Sequence, residues 1–302
     1  MKNIYIVALL LMMACGYEPS AIYDTTDDTT RDVHPVADAI SFPSFELIGE
    51  IDGIFQHPES IVFDSASKFL YVSNVGKTAD YKKDGDGYIS LLNIHGEIIH
   101  PRWVKGLSAP RGICILHDAL FVADVDRVVK IDRKSGQILA TISVSEKAML
   151  TDVEAGSNGE VYITDASTNS IYVLQNDQVS RRMKSEDWNS PAGMYLTGDK
   201  LLLTSLGNNN LLQVDPMTGA TQQIADSLRQ ARGVTSIGGS LIVGGLGGQL
   251  YGIRKGIDFR WPLIDLEMQR DDVADILYVA DYNVLFIPTY RGHSVLAVSV
   301  IN

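Results

Sequence analysis

Five charged residues and one alanine recur along the sequence at a spacing of about 40 residues, and each opens a similar apolar phrase. The six equivalent positions, here called the axial ring, are Glu59, Arg111, Asp152, Ala192, Arg232 and Asp275, with successive gaps of 52, 41, 40, 40 and 43 residues. If these positions meet in space, three carboxylates face two guanidinium groups, with a residual charge of −1. That set has the chemistry of an internal ion-pair network or of a pocket for a polar or charged ligand.

The elements that must position these residues are short strands. The phrases that contain the ring read HPESIVF, APRGICI, LTDVEAG, SPAGMYL, QARGVTS and VADILYV. Further short runs follow within each repeat, such as Leu120–Val122, Val128–Ile131 and Ile138–Ile142 in the second. A period near 40 residues made of short β-rich runs is typical of a propeller, whose inner strands converge on one axis. The sequence therefore predicts an all-β, six-bladed β-propeller.

The last repeat lacks one strand, and a spare strand precedes the first repeat. The last repeat contains the runs Ile276–Val279, Val284–Pro288 and Ser294–Ile301, whereas Phe45–Ile51 belongs to no repeat of its own. Pairing this N-terminal strand with the last blade would close the ring and leave no long open edge. We expect that closure.

The N-terminus has the features of an export signal. Lys2 precedes the apolar run Ile4–Met13, which is too short to span a membrane, and a small residue precedes Cys15. The letters LMMAC resemble a bacterial lipobox, in which Cys15 is lipidated and becomes the mature N-terminus. The alternative is an ordinary secretory signal with an incidental cysteine. Gly16 after the cysteine resembles lipoproteins sent to an outer membrane.

The segment after the cysteine predicts a flexible tether. Residues 16–42 contain six acidic residues and one arginine, with few large apolar residues to bury. The expected domains are a signal peptide over 1–14, a lipidated cysteine with an acidic tether over 15–43, and the propeller over 44–302. The expected location is the bacterial cell envelope, on the outer membrane facing the periplasm.

The net charge of −12 argues against a nucleic-acid partner and against direct contact with an anionic membrane surface. We therefore expect the lipid anchor to be the membrane contact, a monomeric chain, and an unidentified small ligand or protein as partner. Gly76-Lys77-Thr78 imitates a phosphate-binding loop, but Tyr71 stands where its first glycine belongs, so no nucleotide is expected. Cys114 lies in an apolar run and is expected to be a buried structural thiol.

Three phrases resemble the senescence-marker-protein/gluconolactonase-like superfamily of six-bladed propellers, in its bacterial exported branch. They read DGYISLLNIHGEI, LFVADVDRVVKIDRKSGQI and GEVYITDASTNSIYVL, and the likeness covers roughly residues 44–302. The motifs are loose and are also similar to those of NHL-repeat and strictosidine-synthase-like propellers. The resemblance implies the architecture more strongly than an activity, because one fold hosts many activities.

In lactonases of that superfamily the resemblance implies a divalent metal on the axis, commonly calcium. Glu59 matches the first-blade glutamate, and the metal set would be Glu59, Asp152 and Asp275. The expected Asn-Asp pair reads Thr151-Asp152, and the expected Asn-Gly pair reads Ala192-Gly193. The expected Asp-Gly pair reads Arg232-Gly233, which puts a cation where an anionic ligand belongs. Three hypotheses remain: a structural ion-pair plug, a pocket for a polar or charged ligand, and a metal site.

Loops at the axial face supply further candidates. The long first-blade loop Gly76–Gly87 is expected to overhang the axis and to be mobile. Predicted binding-face residues are His57, Asn74, Asp124, Asp126, Asp165, Asn169, Asn208, Tyr290, Arg291 and His293. Each aspartate is alternatively a turn cap. The first functional hypothesis is a binding module without catalysis and without a required cofactor. The second is a calcium-dependent lactonase-type hydrolase with an altered metal site.

Overall fold

The structure, a computed structural model, describes residues 43–78, 81–254, 257–265 and 272–301. These residues form six four-stranded sheets in which all neighbouring strands are antiparallel. Two short 3₁₀-helices, Glu186–Trp188 and Ala280–Tyr282, accompany them. The all-β, six-bladed propeller predicted from the sequence is confirmed.

The first three blades follow one another along the chain, and each uses four consecutive strands. After the N-terminal strand β1 (Ser44–Ile51), their strands are β2 (Pro58–Asp64), β3 (Phe69–Asn74), β4 (Gly87–Asn93), β5 (Ile98–Leu107), β6 (Pro110–Leu116), β7 (Ala119–Asp124), β8 (Arg127–Asp132), β9 (Ile138–Ser143), β10 (Leu150–Ala155), β11 (Val161–Asp165), β12 (Ser170–Gln175) and β13 (Gln178–Lys184).

The last three blades differ in one respect, because the sixth takes its fourth strand from the start of the chain. Their strands are β14 (Pro191–Thr197), β15 (Lys200–Ser205), β16 (Asn210–Val214), β17 (Thr221–Ala225), β18 (Ala231–Ile237), β19 (Ser240–Gly245), β20 (Gln249–Arg254), β21 (Ile257–Asp265), β22 (Leu277–Val279), β23 (Val284–Thr289) and β24 (Ser294–Ile301). The order in the sixth blade is β1-β24-β23-β22, and Phe45 lies opposite Val300.

The core is divided among the six junctions between neighbouring blades. Successive side chains of a strand point to opposite faces, and both faces of a blade are covered. In β7, Leu120 and Val122 pack with blade-one residues, whereas Phe121 and Ala123 pack with blade-three residues. The other four junctions are filled in the same way. This alternation explains the unbroken apolar runs in strands such as β7 and β12.

Short hairpins join the strands, and aspartate side chains fix several of their turns. Asp132 accepts hydrogen bonds from the amides of Lys134 and Ser135 at 3.2 and 2.7 Å. Asp215 does the same for Met217 and Thr218 at 3.0 and 2.9 Å. These carboxylates replace backbone partners that a tight turn leaves unpaired.

The predicted signal peptide, the predicted lipidation site Cys15 and all but the last residue of the predicted tether lie outside the described residues. Among the residues that are described, no helix has the length and apolar composition needed to cross a membrane. The prediction that Cys114 is a buried free thiol is confirmed, since its side chain is 5% exposed and unpaired. Burial, with the charges of Glu154 and Asp152, raises the pKa of the thiol well above its ordinary value.

Candidate functional site

The innermost strands of the blades place the axial ring around one small cavity. Five of the six positions line it: Glu59, Asp152, Ala192, Arg232 and Asp275. Its volume is about 10 Å³, which is room for about one water molecule. The strand-to-axis geometry that the sequence spacing predicts therefore brings these residues together, but it leaves almost no space between them.

Glycines next to the ring allow the inner strands to come this close. A Cβ on Gly112 would lie 2.1 Å from the Oδ1 atom of Asp152, and one on Gly193 would lie 2.0 Å from the carbonyl oxygen of Arg232. No side chain fits at either position. Each glycine therefore lets one blade contact the ring residue of the next blade directly.

Both guanidinium groups of the axial ring contact Glu59. The Nη1 atom of Arg232 donates a hydrogen bond to its Oε1 atom, and the Nη1 atom of Arg111 lies 3.5 Å from the same oxygen. Glu59 is 4% exposed and Arg111 is 2% exposed. A buried cluster of this kind is stable only while each charge keeps a partner.

Two tyrosines cover Arg111 on its other side. Its guanidinium carbon lies 4.1 Å from the ring centroid of Tyr81 and 5.9 Å from that of Tyr290. Such cation–π contacts stabilise a guanidinium that is removed from water. Tyr81 belongs to the long first-blade loop, so the described part of that loop reaches the axial ring at Tyr81. The expected mobility of the loop stays a prediction.

The other two ring carboxyls form a separate pair that has no ion-pair partner among the described residues. Asp152 accepts hydrogen bonds from the amides of Met194 and Val153, at 2.6 and 2.8 Å. Asp275 accepts one from the Ser60 hydroxyl at 2.6 Å and one from the Ile276 amide at 2.8 Å. The single network expected from the sequence is therefore split into an arginine–glutamate cluster and an aspartate pair.

The aspartate pair holds protons more tightly than ordinary carboxyls. Burial is the main cause, and the charge of Glu59 contributes, so that the pKa of Asp275 rises to about 7. Burial and the charge of Asp275 raise the pKa of Asp152 well above its ordinary value. Two neighbouring carboxyls in a poorly solvated place resist a double negative charge.

The residues of the ring do not fit the calcium ion that the family resemblance implies. Calcium takes six to eight oxygen ligands. Glu59 is bound by two guanidinium groups, and Ala192 offers no side-chain oxygen. The Thr151 hydroxyl already contacts Thr164 and two backbone carbonyls. Within the described part of the chain, no group of three or more His, Cys, Asp or Glu side chains could hold a metal ion.

Three predicted binding-face residues are buried instead of presented to a ligand. Asn74 donates to the carbonyl oxygen of Val72, and Asp124 binds the amides of Ser108 and Ala109. Asp165 likewise accepts from the Met149 amide in the adjacent loop and from the Ser167 amide and Thr168 hydroxyl of its own loop. All three are fully buried. They end the second strand of their blades, where backbone donors in the adjacent loops need acceptors, so their role in the fold is loop support.

Three other predicted residues gather near the tyrosine cover. The ring centroid of His57 lies 4.4 Å from that of His293 and 5.1 Å from that of Tyr290. The Nδ1 atom of His57 lies 2.9 Å from the carbonyl oxygen of Gly76, which requires that atom to carry a proton. Burial, with the charge of His57, lowers the pKa of His293.

The remaining candidates are spread over separate loops. Asp126 pairs with Lys83 at 2.5 Å, and the Nε atom of Arg291 lies 3.5 Å from Asp272. Asn208 accepts a hydrogen bond from Asn189 at 2.9 Å, and Asn169 accepts one from the Ser190 amide at 2.8 Å. The structure does not bring these four residues into one site.

Below the ring, the same inner strands line a chamber of about 510 Å³ that is open to solvent. Glu154 lines it two residues after Asp152, and its Oε1 atom accepts a hydrogen bond from the Leu196 amide at 3.1 Å. Burial raises the pKa of Glu154 to about 7, with a smaller contribution from the charge of Asp275. The sequence analysis did not identify Glu154. The available signal was its position two residues after Asp152, which puts both side chains on the same face of β10.

Comparisons with known proteins concern the fold. No established family profile matches the chain, and no curated protein sequence matches it. Solved structures do match the chain in their fold. A virginiamycin B lyase from Staphylococcus aureus is 15% identical, covers 85% of this chain and 100% of its own, and gives a TM-score of 0.60. The chain shares its fold.

Two further solved structures give the same result. A streptogramin B lyase is 13% identical over 85% of this chain and 98% of its own, with a TM-score of 0.61. A structure described as a putative gluconolactonase is 12% identical over 85% of this chain and 92% of its own, with a TM-score of 0.63. The resemblance predicted from the sequence is confirmed at the level of the six-bladed fold. Sequence identities this low do not show that the chain shares the activities of these proteins.

Proposed function

We propose that this protein is a lipid-anchored propeller of the bacterial cell envelope that binds a ligand or a partner protein and performs no chemistry at its axis. The observation that carries this proposal is the cluster of Arg232, Arg111 and Glu59, which occupies the place where the resemblance implies a metal. A guanidinium repels a divalent cation and satisfies the carboxylate itself. The tyrosine cover over Arg111 further restricts access from that side.

Calcium is expected to leave the thermal stability of the protein unchanged. A site with a Kd of about 10 μM would contribute about 2.7 kcal/mol at about 1 mM calcium, because the ligand then stands at about 100 times its Kd. For a domain of this size such a gain would raise the Tm by about 5–10 °C. Differential scanning fluorimetry with and without calcium measures the shift, and magnesium serves as the matched control ion.

A rise of several degrees that calcium produces and magnesium does not would overturn the proposal. The double variant Arg232→Asp/Ala192→Asn provides the complementary test, since it restores two oxygen ligands and removes one guanidinium. Calcium stabilisation in that variant alone would support replacement of a metal site by the arginine cluster.

The second candidate function is a calcium-dependent hydrolase of the lactonase type, which would use Glu59, Asp152 and Asp275. One observation favours it: the pKa of Asp275 lies at about 7 beside a second carboxyl whose pKa is also raised. Carboxyls that exchange protons near neutral pH suit general acid–base catalysis. The calcium titration described above separates the two candidates.

The anchor is expected to depend on Cys15. Replacing it by alanine removes the thiol that would carry the lipid, so the protein should move from the membrane fraction to the soluble periplasmic fraction. Fractionation and immunoblotting of the full chain measure the change, with Cys114→Ala as the matched control that keeps its location. Equal membrane retention of wild type and Cys15→Ala would contradict lipidation.

A further inference from the structure

The chamber below the axial ring has the size of a ligand site. Its volume of about 510 Å³ lies within the range of small-molecule pockets. Inner strands of all six blades contribute to its wall, so the chamber lies on the axis of the ring, where it is open to solvent. It is much larger than the cavity of about 10 Å³ at the ring itself.

The wall of the chamber carries acidic groups and no basic ones among the residues that the structure describes. Asp152, Glu154 and Asp275 all line it, whereas lysine, arginine and histidine are absent from that lining. An anion entering the chamber would meet only repulsion from these groups once they ionise. A cation would be attracted to the ionised carboxylates.

Two polar groups in the wall remain available to a ligand. Thr235 is 6% exposed and lines the chamber, yet none of the described residues makes a hydrogen bond with its hydroxyl. Glu154 uses its Oε1 atom for the Leu196 amide, and its Oε2 atom has no protein partner in the described structure. Both atoms are accessible from the chamber, so a molecule bound there can form hydrogen bonds with them.

The rest of the wall suits an organic molecule better than a metal ion. Val62, Ile115 and Leu277 supply aliphatic surface, and Tyr195 and Tyr278 supply aromatic rings. A hard metal ion needs several converging oxygens, and the described residues form no such group. Aromatic rings instead favour ammonium groups, including quaternary ones.

We propose that this chamber binds an organic cation, namely an amine or quaternary ammonium group carried on an apolar body, with Glu154 as the main anionic contact. This inference rests on the proposed function, because it names the ligand class and the place of binding for a propeller that binds rather than transforms. The charged head lies among the three carboxyls, and the apolar body lies against the aliphatic and aromatic wall.

Titratable groups lie on several of the strands that form the chamber wall. Besides Glu154, the titratable groups that line the chamber are Asp152 on its own strand, Cys114 on β6, Tyr195 on β14, and Asp275 and Tyr278 in the sixth blade. The β2 and β18 linings add no titratable group.

Three probes that differ only in their head group test the charge of the ligand. Hexylammonium, hexanol and hexanoate share one hydrocarbon chain, and an alkylammonium stays protonated at pH 8. Isothermal titration calorimetry on the folded wild type should give binding to hexylammonium about tenfold or more tighter than to hexanol, and none to hexanoate. Equal affinity for hexanol, or no saturation by hexylammonium at millimolar concentration, would overturn the proposal.

Variants identify the place of binding. Glu154→Gln should weaken hexylammonium binding about tenfold or more, and Thr235→Val should weaken it by a smaller factor. Glu160→Gln is the matched control, because Glu160 lies outside the chamber and pairs with Arg182 at 2.7 Å. Unchanged affinity in Glu154→Gln would refute the site. If hexylammonium fails to bind while calcium also fails to stabilise, the inference fails and the proposed function stands.

Discussion

Replacing Glu59 by glutamine is expected to lower the free energy of unfolding by about 3–5 kcal/mol, the cost of removing one partner of a buried ion pair. The substitution keeps the size and one acceptor oxygen of the side chain. It removes the negative charge that faces Arg232 and Arg111, both of which stay largely removed from water. Urea denaturation at pH 7 measures the loss, which corresponds to a fall in Tm of about 10 °C.

A matched control separates the buried cluster from ordinary surface pairs. Glu186 pairs with Lys184 at 2.6 Å, but its side chain is 75% exposed, so Glu186→Gln should leave the free energy of unfolding nearly unchanged. Adding Arg232→Leu to the Glu59→Gln variant should recover part of the lost stability, since it removes one of the two unpaired cations. If the free energy of unfolding of Glu59→Gln lies within about 1 kcal/mol of the wild-type value, water screens the charges of the axial ring.

Replacing Glu154 by glutamine is expected to stabilise the protein at pH 8 and to have little effect at pH 5. The folded state raises the pKa of Glu154 from 4.5 to about 7, so the folded protein binds the proton more tightly than the unfolded chain. Stability from this group is therefore present at low pH and is lost as pH rises through about 7. At pH 8 the free energy of unfolding of Glu154→Gln should therefore exceed that of wild type by about 3 kcal/mol.

Glutamine is a suitable replacement because it keeps the oxygen that accepts the Leu196 amide and carries no charge. Urea denaturation of wild type and Glu154→Gln at pH 5 and pH 8 gives the four free energies of unfolding to be compared. Glu160→Gln is the control at both pH values. A variant that is less stable than wild type at pH 8 would contradict the expected sign. Stabilisation together with loss of hexylammonium binding would show that this carboxyl is kept for binding and not for the fold.

Most of the fold follows from the spacing of the ring residues. A gap of about 40 residues allows four short strands and their turns, and the apolar runs on both sides of each turn fit blades with two covered faces. The pairing of Phe45 with Val300 could not be read from local pattern alone, because it joins segments about 250 residues apart. Only the missing strand in the last repeat indicated it.

The contents of the site were predictable only in part. Equivalent positions in six repeats indicated which side chains meet, but not which of them pair. Arginine side chains reach across the axis to Glu59, whereas Asp152 and Asp275 are short and are held by adjacent amides and by the Ser60 hydroxyl. The chamber was missed because the neighbours of Glu154 come from other blades. No local stretch of sequence contains that information.

The pairing of β1 with β24 has a consequence for how the chain reaches its fold. β1 is synthesised before every other described strand, yet its partner is the last of them. Bringing the two together closes a loop of about 250 residues, and the prior packing of the intervening blades reduces the entropy cost of that closure. During synthesis the first five blades can assemble in order while β1 waits unpaired. The sixth blade, and with it the closed ring, is then completed last.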